Sequence, residues 1–138
     1  MRYSEAFGAD VVLAEVLEGV YDGLRVYGSG QRPNRGLGEG WVEIEYNGPV
    51  RRVTESGGMY RGHLLVTVYV RNRNDDTVRV ERLRGVLAAV ETAVDGVARG
   101  GFFFEPGVTV LGATDAGNGY GAMSLDVEWH TTDDFHNR

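Results

Sequence analysis

His130, Asp133, Asp134 and His136 are the one group in the chain whose residue types suit a divalent cation. Imidazole and carboxylate oxygen are ligands for zinc or a similar ion. These residues fall at the end of a strand-like segment and in a polar run behind it, where chain geometry is least fixed. A solvated terminus is the plainer reading, and no metal site is expected. His63 stands in an alternating segment with no acid flanking it, so no catalytic role is expected there. The Gly-x-Ser-x-Gly elbow of a serine nucleophile is absent. The run Gly28-Ser29-Gly30-Gln31-Arg32-Pro33-Asn34-Arg35-Gly36 is glycine-rich. It lacks the lysine and following hydroxyl of a phosphate-binding loop and the spacing of a dinucleotide fingerprint. The carboxylate pairs Asp75-Asp76 and Glu43/Glu45 read as a helix cap and a solvated strand face. Acid–base work would need one of two carboxyls held in a pocket with a raised pKa. No catalytic residue, cofactor or metal is expected, and the chain reads as a non-enzyme.

The elements that would position such residues follow from length and patterning. At 138 residues, with 42% hydrophobic and 25% charged side chains, one domain with one core is expected over residues 1–138. There is no cysteine, which removes disulfides and thiolate metal sites. The net charge of -6 argues against a protein that grips nucleic acid by neutralising phosphates. Every basic side chain other than histidine is arginine. Arginine suits planar pairing at interfaces, although coding bias explains the choice as well. Met1 to Asp10 lacks the pattern of a signal peptide, and no apolar run is long enough to cross a bilayer.

Ser4 is expected to cap a first helix reaching about Val20, with Ala6, Ala9, Leu13, Val16, Leu17 and Val20 on its apolar face. Leu24 to Tyr27 is a short strand, and Gly28 to Gly40 a loop. Trp41 to Tyr46 alternates, with Val42, Ile44 and Tyr46 on one side and Trp41, Glu43 and Glu45 on the other. Asn47-Gly48-Pro49 is a turn signal, and Val50 to Met59 a long hairpin loop or an arm extending two strands. Tyr60 to Arg71 is the strongest strand, with Leu64, Val66, Val68 and Val70 on one face and His63, Leu65, Thr67, Tyr69 and Arg71 on the other. Asp75, Asp76 or Thr77 caps a second helix to about Ala98, striped by Val80, Leu83, Leu87, Val90, Val94 and Val97 and stopped by Gly100-Gly101. Phe102 to Phe104 and Val108 to Leu111 follow, which with the last strand makes two or three strands after the second helix, and a turn is expected over Thr114 to Gly119. A last strand runs from Tyr120 to about Thr131, with Met123, Leu125, Val127 and Trp129 inward. Asp133 to Arg138 reads as a disordered polar tail.

The expected fold is therefore α+β, in the order α-β-β-β-α-β-β. Its sheet is antiparallel or mixed, with both helices on one face. The free face would carry Trp41, Leu65 and Tyr69 among Glu43, Glu45, Asp126 and Glu128. A solvated face has no need of three large apolar residues close together, so this face is a candidate association surface. The Val50 to Met59 arm, with Arg51, Arg52 and Met59, is a second candidate, since long loops in compact domains are usually functional or disordered.

In this order of elements the chain resembles the tail terminators of long-tailed bacteriophages and the related minor-capsid and tail-completion proteins. The likeness spans nearly the whole chain. It rests on "LRVY" (Leu24 to Tyr27) after the first helix; on "YRGHLLVTVYVRNRND" (Tyr60 to Asp75) leading into "TVRVERLRGVLAAVETAV" (Thr77 to Val94); on "VTVLGATD" (Val108 to Asp115); and on "GAMSLDVEWHTT" (Gly121 to Thr132). The resemblance implies a structural virion protein at the head-proximal end of the tail, assembled in the host cytoplasm. It implies a hexameric ring that stops polymerisation of the tail-tube protein and offers a surface to neck or head-completion proteins. DNA would pass through that ring without specific binding. Other readings are a neck or tube protein of the same virion, or a small ligand-binding or enzymatic α+β domain.

Overall fold

The long period-two run at Tyr60 decides the centre of the molecule. Its alternate residues Leu64, Val66, Val68 and Val70 are buried, while their neighbours stay partly exposed. A β-strand turns successive side chains to opposite faces, so this pattern makes a sheet with one core face. The computed structural model describes residues 7–18, 20, 25–28, 40–53, 59–71, 76–107, 109–117 and 119–131. Its elements in chain order are α1 (Ala9–Leu17), β1 (Arg25–Tyr27), β2 (Gly40–Tyr46), β3 (Arg51–Arg52), β4 (Tyr60–Arg71), α2 (Asp76–Val94), β5 (Val97–Arg99), β6 (Phe102–Phe104), β7 (Thr109–Gly117) and β8 (Tyr120–Thr131). The fold is α+β, as expected, with a strongly curled sheet of eight strands.

The sheet runs β1-β2-β4-β8-β6-β5, with β3 added to β4 and β7 to β8. Strand β8 lies antiparallel to β4 over its whole length, from Arg61↔His130 to Arg71↔Tyr120. On its other side it takes β7 at one end and β6 at the other. The sheet is mixed because β1 lies parallel to β2. A parallel neighbour needs a crossover of a dozen or more residues, which accounts for the length of the glycine- and arginine-rich segment from Gly28 to Gly40.

One hydrophobic cluster joins Ala9, Leu13 and Leu17 of α1 and Leu83, Val86, Val90 and Val94 of α2 to alternate residues of β2, β4, β6 and β8. At one end of β8, Trp129 is fully buried, edge-on to Phe102. Its indole lies over the backbone of Gly62, where a Cβ would come within 2.7 Å of the ring.

Several boundaries differ from expectation. Gly8 occupies the N-cap of α1 without a side-chain cap, and α1 ends at Leu17; Ser4 and Ala6 lie outside the described residues. Helix α2 stops at Val94 instead of running to Ala98. Gly96, at φ +66, takes the left-handed conformation that ends a helix, and Val97–Arg99 becomes β5. Gly100 and Gly101, at φ +61 and +88, then turn β5 into β6 and do not stop the helix. The expected turn from Thr114 is mostly strand: β7 pairs with β8 as far as Gly117, and only the short connection to Tyr120 turns. The arm does extend two strands, since β3 pairs Arg51↔Arg61 and Arg52↔Tyr60.

Candidate association face

The face of β2, β4 and β8 away from the core is a lattice set by register. Trp41 pairs with Tyr69, Glu43 with Thr67 and Glu45 with Leu65. Across β4, Tyr69 pairs with Ala122, Thr67 with Ser124, Leu65 with Asp126, His63 with Glu128 and Arg61 with His130. Five residues expected to share this face, Trp41, Glu43, Glu45, Leu65 and Tyr69, are thereby brought side by side.

The lattice changes character along the strands. At one end the ring of Trp41 stacks on Tyr69 with centroids 4.5 Å apart and 12° between planes. Tyr120 stands edge-on to Trp41 at 4.9 Å. The Trp41 indole N–H donates to Glu43 Oε1 at 3.1 Å. Burial, then the nearby Glu43 carboxylate, its hydrogen bond with the phenol, and Glu45 together raise the Tyr69 pKa above its ordinary value. None of the three rings is fully covered, and Glu45 is exposed.

In the middle, Thr67 and Ser124 hydroxyls meet at 3.1 Å. Asp126 accepts from Asn47 Nδ2 at 2.9 Å and lies 2.8 Å from His63 Nδ1. His63 therefore has an acid partner that its neighbours in the sequence do not supply. That partner lies 63 positions away in the chain and becomes a neighbour only by strand pairing. At the far end, Arg61 Nε is 3.6 Å from Glu128 and His130 Nδ1 is 2.8 Å from Glu105. His130 also lies against the Phe103 ring. Asp133, Asp134 and His136, its companions in the possible metal cluster, lie outside the described residues. Among the described residues no group of three or more histidine and acidic side chains is placed to hold a metal.

Beyond that far end β3 pairs with the start of β4 and begins the expected arm, or finger. Arg51, Arg52 and Val53 are exposed, and Met59 is partly so. The Val53 N–H donates to the Met59 carbonyl at 2.8 Å and ties the finger's two sides together. Arg51, Arg52 and Met59 thus share an element, but not the patch of Trp41 and Tyr69. Sequence reasoning missed Tyr120 as a member of the aromatic group, although its outward parity in the last strand was readable.

No family model matches the chain, and no curated protein does either. A solved structure whose name says nothing of function overlays with a TM-score of 0.60 at 13% identity, covering 96% of each chain. A chain from the virion of a native gene transfer agent particle overlays at 0.47 with 20% identity, over 94% of this chain and 90% of that one. The first likeness is one of fold alone, and the second is too loose to carry an argument about function.

Proposed function

We propose that this chain is a structural virion protein, a tail terminator that associates into a ring at the head-proximal end of a phage-type tail, halts growth of the tube and offers the surface to which the head joins. In this reading both helices lie on the core side of the sheet. The opposite face and the finger are left for other copies, for the tube protein and for neck proteins. The carrying observation is that Trp41 and Tyr69 stack, partly exposed, beside Glu43 on a face that also carries Leu65 and Glu45, with the exposed Arg51 and Arg52 of β3 beyond its other end. Side chains of that size are usually covered in a monomer, and contiguous exposed apolar area marks contact surfaces. The pattern of elements shared with tail terminators supplies the kind of contact.

The test is negative-stain microscopy of purified tube subunits with and without this chain. Tubes of arrested length with a ring at one end are expected. Tubes that grow without limit at equimolar protein would count against termination. Failure to arrest tubes combined with binding to DNA-filled heads would move the reading to a neck protein.

A further inference from the structure

Two features at opposite ends of one sheet complement each other. Arg51 and Arg52 are exposed on the finger, and among the described residues neither has an ion-pair partner. Arg51 stands across from Arg61, which is already engaged by Glu128, so the described part of the finger carries cationic charge with no acid of its own. At the other end, Trp41 and Tyr69 present stacked rings beside Glu43 and Glu45. Among the described residues neither carboxylate has a cationic partner. Ring faces beside carboxylates suit a guanidinium, which stacks on aromatic planes and pairs with oxygen in its own plane.

The two features cannot meet within one molecule. Along β4, the row of Arg61 and the row of Tyr69 are eight residues apart, about 27 Å at strand rise. We infer that the aromatic–acidic patch of one copy receives the arginine finger of a second copy, in a head-to-tail contact that repeats from copy to copy. A two-fold stacking of the faces would also pair finger with patch. It would, however, press Glu45 and Asp126 of the central Leu65 row against their own counterparts, and like charges facing each other across an interface cost several kcal/mol. A head-to-tail contact avoids this and leaves each copy with one end unfilled until a ring closes. The inference deepens the proposed ring by naming its contact.

The absence of cysteine gives a direct test on the purified chain, with no tube protein present. Val53→Cys places a thiol on the finger and Leu65→Cys one beside Glu45, and neither removes a charge. Under mild oxidation the double variant is expected to give a ladder of dimers, trimers and higher species on a non-reducing gel, while each single variant stays monomeric. Adding Arg51→Glu with Arg52→Glu, or Glu43→Arg with Glu45→Arg, is expected to cut the ladder about tenfold or more. Combining both reversals is expected to restore it. Circular dichroism of each variant confirms the fold, and all the reversed positions are at least partly exposed. Single-cysteine variants that cross-link as well as the pair, or a ladder indifferent to charge reversal, would overturn the contact. Because this readout needs no tubes, its failure is separate from failure of tube arrest.

Discussion

Gly62 shows how closely one residue can be specified without any role in chemistry. It sits in β4 opposite Trp129, and an added Cβ would lie 2.7 and 2.9 Å from two atoms of the indole. Trp129 is fully buried and has no room to withdraw. Gly62→Ala is therefore expected to destabilise by about 1–3 kcal/mol, the usual cost of overpacking a filled core, read as a lower urea midpoint. In a Trp129→Phe background the same change should cost clearly less, because the six-membered indole ring it strikes is gone. An equal cost in both backgrounds would refute the contact. Trp129→Phe also removes an indole N–H that is buried with no acceptor among the described residues. A second residue-scale prediction concerns Tyr46. Its hydroxyl donates to Asp10 Oδ1 at 3.0 Å, and burial followed by the Asp10 charge raises its pKa well above the ordinary 10.0. A raised folded-state pKa means that the folded chain holds the proton more tightly than the unfolded one. The stability this brings is complete below pH 10 and is lost as pH rises beyond it. Urea midpoints should therefore hold up to about pH 10 and fall progressively as pH rises above it towards the high folded-state value, and Tyr46→Phe should soften the decline. Tyr69 is shifted the same way, so the slope is reduced and not abolished.

At the scale of elements, legibility depended on whether local pattern and tertiary pairing agreed. Strands β4 and β8 were readable because β4 alternates buried and uncovered residues over its length and β8 does so from Ser124 onward. Strand β5 was hidden because Val97 extends the helical stripe of Val90 and Val94 by another turn. Only the left-handed Gly96 breaks it, and a lone glycine near a helix end did not outweigh the stripe. The second half of β7 was hidden by Gly112, Asp115 and Gly117, residue types that are sparse in strands and whose strand state here is imposed by β8. The association patch was readable as a face, since parity alone puts Trp41, Glu43 and Glu45 together. Its pairing to Tyr69 and the His63–Asp126 contact needed a register that no local signal carries. Two predictions belong here. Gly96→Ala meets Phe103 only at an ordinary 3.9 Å, so its cost is backbone strain alone, roughly 1 kcal/mol, and it should prove milder than Gly62→Ala in the same denaturation assay. Excising Val50 to Met59 and closing β2 to β4 with an Asn-Gly turn should leave a folded monomer, because β3 adds only two pairs to the sheet. That variant should neither cross-link nor arrest tubes; undiminished arrest would remove the finger from the proposed function.

For the whole molecule, charge constrains what the assembled ring can do. If each copy's Arg51 and Arg52 are covered by a neighbour's Glu43 and Glu45, the contact consumes equal charges of both signs. The -6 of every copy is then carried by the surfaces left over. Among the described side chains of α2 and the turn after it, the exposed charges are Glu81, Glu91 and Asp95 against Arg84. A phosphate backbone approaching such a ring meets repulsion at separations within a Debye length, about 8 Å at physiological salt, and has few cations to exchange for its counterions. The protein should therefore show no saturable binding to duplex DNA by fluorescence anisotropy, even at low ionic strength where phosphate contacts are strongest. Binding that weakens steeply with added salt would reveal a basic groove and contradict the reading of a passage that DNA traverses without sticking. The same measurement on the Glu43→Arg, Glu45→Arg variant provides the positive control. That change moves the patch by four charges, and DNA affinity should appear there first if the face is as accessible in the monomer as its partly uncovered rings indicate.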